Sequence, residues 1–160
     1  MKKVFLIVLV TLTSGVFAQN ADKEDLEIIQ GVYGKSKKEL AQTYMAIPAA
    51  QADAFWKIYD EFEVERKALG TAKVAVINDY AANFANLTDE SANKIAKAGL
   101  KNNLDYQKLF SKYYDKYKKA VGAINAAKII QFENYMQTTV QSEIQNSIPF
   151  VGEIEALKTK

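Results

Sequence analysis

The 160-residue sequence contains no cysteine and no histidine, and it has only two prolines and seven glycines. Without cysteine there are no disulfides and no thiol nucleophile, so stability must come from the burial of apolar side chains. Without histidine, the commonest general base and the commonest transition-metal ligand are also missing. The scarcity of proline and glycine leaves few turns, and it favours a few long helices over many short strands.

The first 18 residues have the layout of a secretory signal peptide. Lys2 and Lys3 precede an apolar run at 4–10, and a small-x-Ala pattern ends at Ala18. A retained membrane anchor is the weaker alternative, because a transmembrane helix requires roughly 20 apolar residues. We therefore predict that residues 1–18 are removed, that the mature chain has no membrane span, and that the protein is exported to the periplasm.

Removal of the signal also neutralises the chain. Of the 21 basic residues, Lys2 and Lys3 belong to the signal, which leaves 19 basic against 19 acidic residues. Net charge therefore gives no reason to expect binding to nucleic acid. The length suffices for one domain and hardly for two. We expect one helical domain over 19–150 and a frayed tail over 151–160.

Segment 47–70 carries an apolar stripe with helical spacing. Its members are Phe55, Tyr59, Phe62 and Leu69. Steps of three, four and seven place them on one face of an α-helix and would scatter them on a strand. Arg66 lies in the same stripe, where its head either reaches water or pairs across a helix or dimer interface. The candidate interface residues are Phe55, Trp56, Tyr59 and Arg66.

The same segment carries an acidic cluster. Its members are Asp60, Glu61, Glu63 and Glu65. Glu61 and Glu65 share a helix face, but a strong calcium site needs six to eight oxygen ligands, usually from a loop. We interpret the cluster as a solvated helix face and expect neither a metal nor a cofactor. Since no Gly-rich nucleophile turn occurs either, we predict that the protein is not an enzyme.

Turn and capping residues divide the chain into four predicted helices. The first covers about 22–45, and its Gly31 and Gly34 mark either a loosened stretch or a break. The second covers about 48–87. A straight helix of that length would measure about 60 Å, too long for a compact globule of this size. We therefore predict a bend at Gly70.

Thr88 is the predicted cap of the third helix, which ends at Gly122. This helix carries a heptad-like seam, which consists of Ala92, Ala96, Gly99, Tyr106, Phe110, Tyr113, Tyr117 and Ala120. Asn103 fills the one polar position of that seam. Asn125 is the predicted cap of the fourth helix, which stops before Pro149. The predicted inner face of this helix consists of Ile129, Phe132, Met136, Val140 and Ile144.

These patterns predict an all-α fold in which four helices form long antiparallel hairpins in a thin, curved or cradle-like arrangement. Helices paired only two deep leave apolar stripes uncovered. We therefore expect a homodimer that covers part of them.

A basic and aromatic stripe runs through residues 107–119. It consists of Lys108, Lys112, Tyr113, Tyr114, Lys116, Tyr117 and Lys119. Such a surface is suited to hold partly unfolded, acidic or amphipathic polypeptides by weak charge attraction and aromatic contact. The alternative is that the tyrosines belong to the core and the lysines form a wetted exterior.

The helix starts resemble those of the Spy/CpxP-like family of exported α-helical proteins, whose mark is a repeated Leu-Thr-x-x-Gln motif. Residues 47–51, IPAAQ, keep the Gln, and residues 87–91, LTDES, keep the Leu-Thr. Residues 52–61, ADAFWKIYDE, are similar to a segment of the uncharacterised exported relatives of that family. The start of the last helix is similar as well, at Ala126, Ala127, Lys128, Phe132 and Glu133.

The resemblance implies a thin, curved dimer that acts as an ATP-independent periplasmic chaperone or regulates an envelope stress sensor. We accordingly expect a chaperone-like or envelope-stress protein that holds unfolded or envelope proteins by weak charge and aromatic contacts. The alternative is a noncatalytic regulatory or structural protein that docks one specific envelope partner. A third possibility, carriage of a small molecule or lipid, requires an apolar pocket between the helices.

Overall fold

A computed structural model describes the chain over residues 27–29 and 31–147. It contains, in order, α1 (Lys37–Met45), α2 (Ala49–Asn83), a 3-10 turn (Phe84–Asn86) and a long helical stretch (Asp89–Ser147). Gly122 breaks the last stretch into two arms, which we call α3 (89–121) and α4 (123–147). The described part of the chain has no strand, so the predicted all-α class with four helices is confirmed.

The predicted signal peptide, 1–18, and the predicted tail, 151–160, lie outside the described residues. Among the described helices, none is both long enough and apolar enough to cross a bilayer. The complete hairpin arrangement, with its thin, curved or cradle-like shape, stays a prediction.

The first predicted helix is broken, not merely loosened. Residues 31–33 are helical, but Gly34 has a φ of 66°, a conformation that glycine adopts without steric cost. Ser36 then starts α1 with a capping box: its hydroxyl accepts from the Glu39 N–H, and the Glu39 carboxylate accepts from the Ser36 N–H. The short helix α1 is therefore a separate element.

Helix α2 is unbroken at Gly70, where its length led us to predict a bend. Its partner α3 runs beside it in antiparallel order, so contacts support the long helix on one side. Phe55 packs on Tyr117 at one end, and Gly99 approaches Val76 toward the other. The length that argued for a bend is thus matched by an equally long neighbour.

The polar position of the α3 seam is Asn102, not the predicted Asn103. The Asn102 amide donates to the Leu69 carbonyl of α2 at 2.9 Å, and the side chain is buried. Asn103 is exposed. The hydrogen bond decides between the neighbours, because a buried amide requires a partner that water would otherwise supply.

Aromatic side chains form the core between α2 and α3. Phe55, Tyr59 and Phe62 are at most 1% exposed, and Tyr113 and Tyr117 are fully buried. The Phe62 ring meets Tyr113 edge to face, with ring centroids 5.3 Å apart. Such pairs add about 0.5–1.5 kcal/mol to the burial of apolar area. The predicted stripe of segment 47–70 is confirmed as the spine of this core.

Helix α4 packs its predicted inner face inward. Ile129, Phe132, Met136 and Val140 of that face are buried, and Ile144 is half-buried. The break before α4 lies at Gly122, with φ 80° and ψ 165°, a region that is essentially restricted to glycine. Asn125 is not the cap that we predicted, because α4 already begins at residue 123. Its amide instead donates back across the break to the Val121 carbonyl.

The aromatic core yields the first testable prediction. The substitution Phe62→Ala should lower the free energy of unfolding by about 3–5 kcal/mol, because a fully buried ring is replaced by a cavity. Urea denaturation followed by circular dichroism measures this change.

The matched control is Val64→Ala, two residues along the same helix, where the side chain is 70% exposed. We expect a change within about 0.5 kcal/mol there. Equal losses for the two variants would contradict the assignment of Phe62 to the core.

Candidate functional site

Three helices meet at a buried ion cluster, which consists of Lys37, Glu63, Arg66 and Glu133. Lys37 Nζ of α1 donates to Glu63 Oε1 of α2 at 2.5 Å and to Glu133 Oε2 of α4 at 2.7 Å. Arg66 Nε donates to Glu63 Oε1 at 3.1 Å. Lys37 and Glu133 are only 4% and 2% exposed. The guanidinium of Arg66 therefore pairs with a carboxylate inside the chain, one turn away on its own helix.

The two carboxylates of the ion cluster differ in their electrostatics. Burial raises the pKa of Glu133, and the nearby charge of Lys37 offsets this only in part. Burial also acts to raise the pKa of Glu63, but the charges of Lys37 and Arg66 outweigh it, so this pKa is lowered overall. Glu63 is thus the carboxylate held in its ionised form, while Glu133 is the one more easily protonated.

A small cavity adjoins the ion cluster. Its volume is about 20 Å³, enough for about one water molecule, and polar groups of Arg66, Lys73 and Gln137 line it together with Glu133. Glu133 Oε1 is buried without a hydrogen-bond partner in the protein. Because the charged groups of the ion cluster pair mainly with one another, the cluster is suited to a structural role.

Three carboxylates of the acidic cluster point outward and pair with lysines. Asp60 binds Lys38, Glu61 binds Lys116 and Glu65 binds Lys112, with distances of 2.5, 2.9 and 2.6 Å. Within the described residues, no group of three or more potential ligands is placed to hold a metal ion. The acidic cluster is therefore divided between a solvated face and, at Glu63, the ion cluster.

The basic and aromatic stripe is also divided between surface and core. Tyr113 and Tyr117 are fully buried, and the Tyr113 hydroxyl donates to Glu65 at 2.9 Å. These two rings cannot contact a client in this structure. Their burial agrees with the alternative interpretation, in which the tyrosines of the stripe belong to the core. Tyr114 is half-buried and Lys119 is exposed, so both remain accessible.

The lysines of the stripe reach the surface, where three of them are already paired. Lys112 and Lys116 bind carboxylates of α2, as described above, and Lys108 lies 3.5 Å from Asp105. The bonds from Lys112 and Lys116 lower the pKa of Glu65 and Glu61. The pKa of Asp105 is lowered chiefly by its hydrogen bond from Lys101, and Lys108 contributes less. A ligand carboxylate at these lysines must therefore exchange with one that the chain supplies.

The other candidate interface residues lie inside or against the core. Phe55 and Tyr59 are buried, whereas Trp56 is half-buried and packs edge-on against both, with ring centroids 4.8 and 5.4 Å away. Lys38 Nζ lies 6.0 Å from the Trp56 ring. Of these residues, Trp56 is the one whose ring is still partly accessible.

A shallow depression lies on the seam of α2 and α3, which we call the α2–α3 depression. It has a volume of about 360 Å³ and an apolar floor of Ala68, Leu69 and Leu109. Its charged rim consists of Glu65, Asp105, Lys108 and Lys112. The two lysines belong to the predicted stripe, so part of the predicted client surface does border an apolar depression.

Two exposed leucines of α3 extend this surface, and the sequence analysis did not single them out. Leu100 and Leu104 are 69% and 54% exposed. They are four residues apart, and Leu104 lies one turn before Lys108, so all three share a helix face. The signal in the sequence was their position outside the heptad-like seam, which leaves two large apolar side chains with no core to enter.

A second and larger groove lies between α1 and α4, which we call the α1–α4 groove. It has a volume of about 470 Å³. Its lining consists of Lys35, Leu40, Thr43, Tyr44, Gln131, Phe132, Tyr135 and Met136. Tyr44 stacks on Phe132 with ring centroids 5.7 Å apart. No local sequence pattern indicates this groove, because its walls come from segments that are some 90 residues apart.

Comparisons of the chain with protein-family models, with curated proteins and with solved structures found no match. The resemblance to the Spy/CpxP-like family therefore stays a prediction.

The ion cluster yields a prediction about pH. Glu63→Gln should destabilise the protein by on the order of 3 kcal/mol at neutral pH, because Lys37 and Arg66 lose their ionised partner. Glu133→Gln should cost less, because Gln resembles the neutral acid that burial favours at this position.

The two substitutions should respond to pH in opposite directions. The lowered pKa of Glu63 stabilises the wild type above the pKa of the unfolded chain, so the loss in Glu63→Gln grows as pH rises from about 3 to 6. The pKa of Glu133 is raised in the folded protein, so the wild type loses stability as pH rises from the pKa of the unfolded chain toward that raised value. The free energy of unfolding lost in Glu133→Gln therefore shrinks over the same pH interval. Urea denaturation at stepped pH measures both trends, and parallel trends would refute this assignment of charges.

Proposed function

We propose that the protein is an exported, ATP-independent chaperone-like or envelope-stress protein that holds partly unfolded polypeptides on the outer face of α2 and α3. The observation that supports this proposal is the α2–α3 depression with its neighbours Leu100 and Leu104. It combines an apolar floor with a rim of both charge signs. An unfolded chain presents apolar side chains beside charged ones, and this surface complements both.

The exposed ion pairs of the rim suit weak and exchangeable binding. Lys112 and Glu65 are 50% and 42% exposed, and exposed pairs contribute only about 0–1 kcal/mol. When a client carboxylate takes the place of Glu65 beside Lys112, the free energy of the complex therefore changes little. Binding would depend on several such contacts at once, which tolerates many client sequences.

The alternative function is docking of one specific envelope partner. A specific interface concentrates its binding energy in a few buried residues, whereas a holding surface spreads it over many. In the described chain, large apolar side chains are exposed on both α2 and α3, at Val64, Leu100 and Leu104. This spread favours holding over docking.

The proposal is tested by the suppression of aggregation. At stoichiometric amounts and without ATP, the protein should slow the aggregation of two unrelated unfolding proteins, measured by light scattering. The double substitution Leu100→Ser with Leu104→Ser should raise the amount needed for half-protection about fivefold, since each exposed leucine supplies part of the buried contact area.

The control is Ile124→Ser, which alters a side chain that is 80% exposed but lies beyond Gly122. It should leave protection near the wild-type level, and neither variant should change the urea midpoint. If the protein protects neither client from aggregation, the holding proposal is contradicted. Protection of one client alone would favour docking of a specific partner.

Export is tested separately by mass. When the full-length chain is expressed in a bacterium and recovered from the periplasm, its intact mass should correspond to a chain that begins at Gln19. A mass that still includes residues 1–18 would contradict removal of the signal. Native mass spectrometry of the same sample tests the proposed homodimer.

A further inference from the structure

The α1–α4 groove has the properties of a binding site for a small apolar ligand. Its volume of about 470 Å³ lies within the range of about 300–1,000 Å³ that is usual for ligand pockets. Leu40 and Met136 supply aliphatic surface, while Tyr44, Phe132 and Tyr135 supply aromatic walls. Phe132 and Met136 are nearly buried, so they form the floor, whereas Tyr44 and Tyr135 are 44% and 60% exposed and form the rim.

The charge of the groove is of one sign. Lys35 is the one charged residue in the lining, and no salt bridge joins its ammonium to a carboxylate of the described residues. Glu39 lies close enough for the charge of Lys35 to lower its pKa slightly, but hydrogen bonds from Ser36 are the larger cause. Both of those bonds, at 2.8 and 2.7 Å, go to Glu39 Oε2. The ammonium of Lys35 can therefore bind an anionic group of a ligand at the edge of the apolar groove.

A second cation lies beside the aromatic wall. Lys128 Nζ lies 5.0 Å from the centre of the Tyr44 ring and donates to the Tyr44 carbonyl at 3.3 Å. Its partners are a ring face and a carbonyl, not a carboxylate. The groove therefore carries positive charge at its border without any carboxylate in its lining.

We propose that the α1–α4 groove binds a single-chain amphiphile with one carboxylate headgroup, of the medium-chain fatty acid class. The apolar chain lies along Leu40, Phe132 and Met136, and the carboxylate lies at Lys35. The groove follows α1 from its start to Tyr44, which is about 12 Å of helix at 1.5 Å per residue. That length suits an apolar chain of medium length.

This site is separate from the α2–α3 depression, and the proposal does not depend on the holding of polypeptides there. The two surfaces also differ in charge. The rim of the α2–α3 depression carries both signs, whereas the lining of the α1–α4 groove carries one. A mixed rim suits polypeptides, and a single cation suits a ligand with a single negative charge.

The test is isothermal titration of the full-length mature protein with decanoate and with decanol, below the concentrations at which decanoate forms micelles. Decanoate should bind saturably, with one site per chain, and more tightly than the uncharged decanol. The substitution Lys35→Gln should weaken decanoate binding about fivefold and leave decanol binding unchanged, because it removes only the charge contact. The matched control is Lys97→Gln, an exposed lysine of α3, which should change neither affinity.

The apolar half of the site is tested by Tyr44→Ser, which removes one aromatic wall. It should weaken decanoate and decanol alike, whereas Phe84→Ser, at an aromatic residue of similar exposure after α2, should weaken neither. Absence of saturable heat with decanoate overturns the proposal. Equal binding of decanoate and decanol overturns the headgroup assignment. A second copy of the chain is the alternative occupant of the groove. If the wild type is a dimer, if Tyr44→Ser converts it to monomers and if decanoate does not dissociate it, the amphiphile proposal is overturned in favour of that second copy.

Discussion

The arrangement of the helices depends on the ion pairs that the ammonium of Lys37 makes with Glu63 and Glu133. This ammonium is buried, it comes from the short helix α1, and it bonds carboxylates of α2 and α4 at the same time. A helix of nine residues is marginal in water, so α1 needs tertiary contacts to persist. Removing one partner from a buried ion pair costs about 3–5 kcal/mol, because the remaining charge is left uncompensated. Displacement of α1 would leave Glu63 and Glu133 without their shared cation, and the ion cluster therefore fixes α1 against the other helices.

Buried and exposed ion pairs of this protein differ in the free energy needed to break them. This difference separates the structural ion cluster from the proposed binding surface. In the ion cluster, low exposure makes each bond expensive to break, so the geometry is held. On the α2–α3 face, the same residue types are half-exposed, and exchange of one carboxylate for another costs little. Glu63 and Glu65 are only two residues apart on α2 and illustrate both cases. The first is held between Lys37 and Arg66, and the second pairs with Lys112 at the surface.

Periodicity made the core of this protein predictable, while its polar details depended on distant partners. The stripe from Phe55 to Phe62 and the inner face of α4 follow from spacing alone, because apolar side chains on one helix face must be covered. Tyr113 and Tyr117 lay on the predicted seam as well as in the basic stripe, and the seam was the better guide to their burial. Lys37 gave no signal, since nothing local distinguishes a lysine that will meet two carboxylates from one that faces water. The spacing of the seam favoured Asn103, whereas the hydrogen bond to the Leu69 carbonyl places Asn102 between the helices.

Helix α1 links the ion cluster to the α1–α4 groove, because the same short helix supplies residues to both. Lys37 lies in its first turn, and Leu40 and Tyr44 follow three and seven residues later on the same side of the helix. The Lys37 contacts therefore help to hold the α1 wall of the groove, together with the buried Ala41 and Met45 of the same helix. Conversely, a ligand that fills the groove contacts α1 and α4 together and adds its binding free energy to the docked position of α1. By linkage, any coupling free energy between the ion cluster and a ligand in the groove acts equally in both directions.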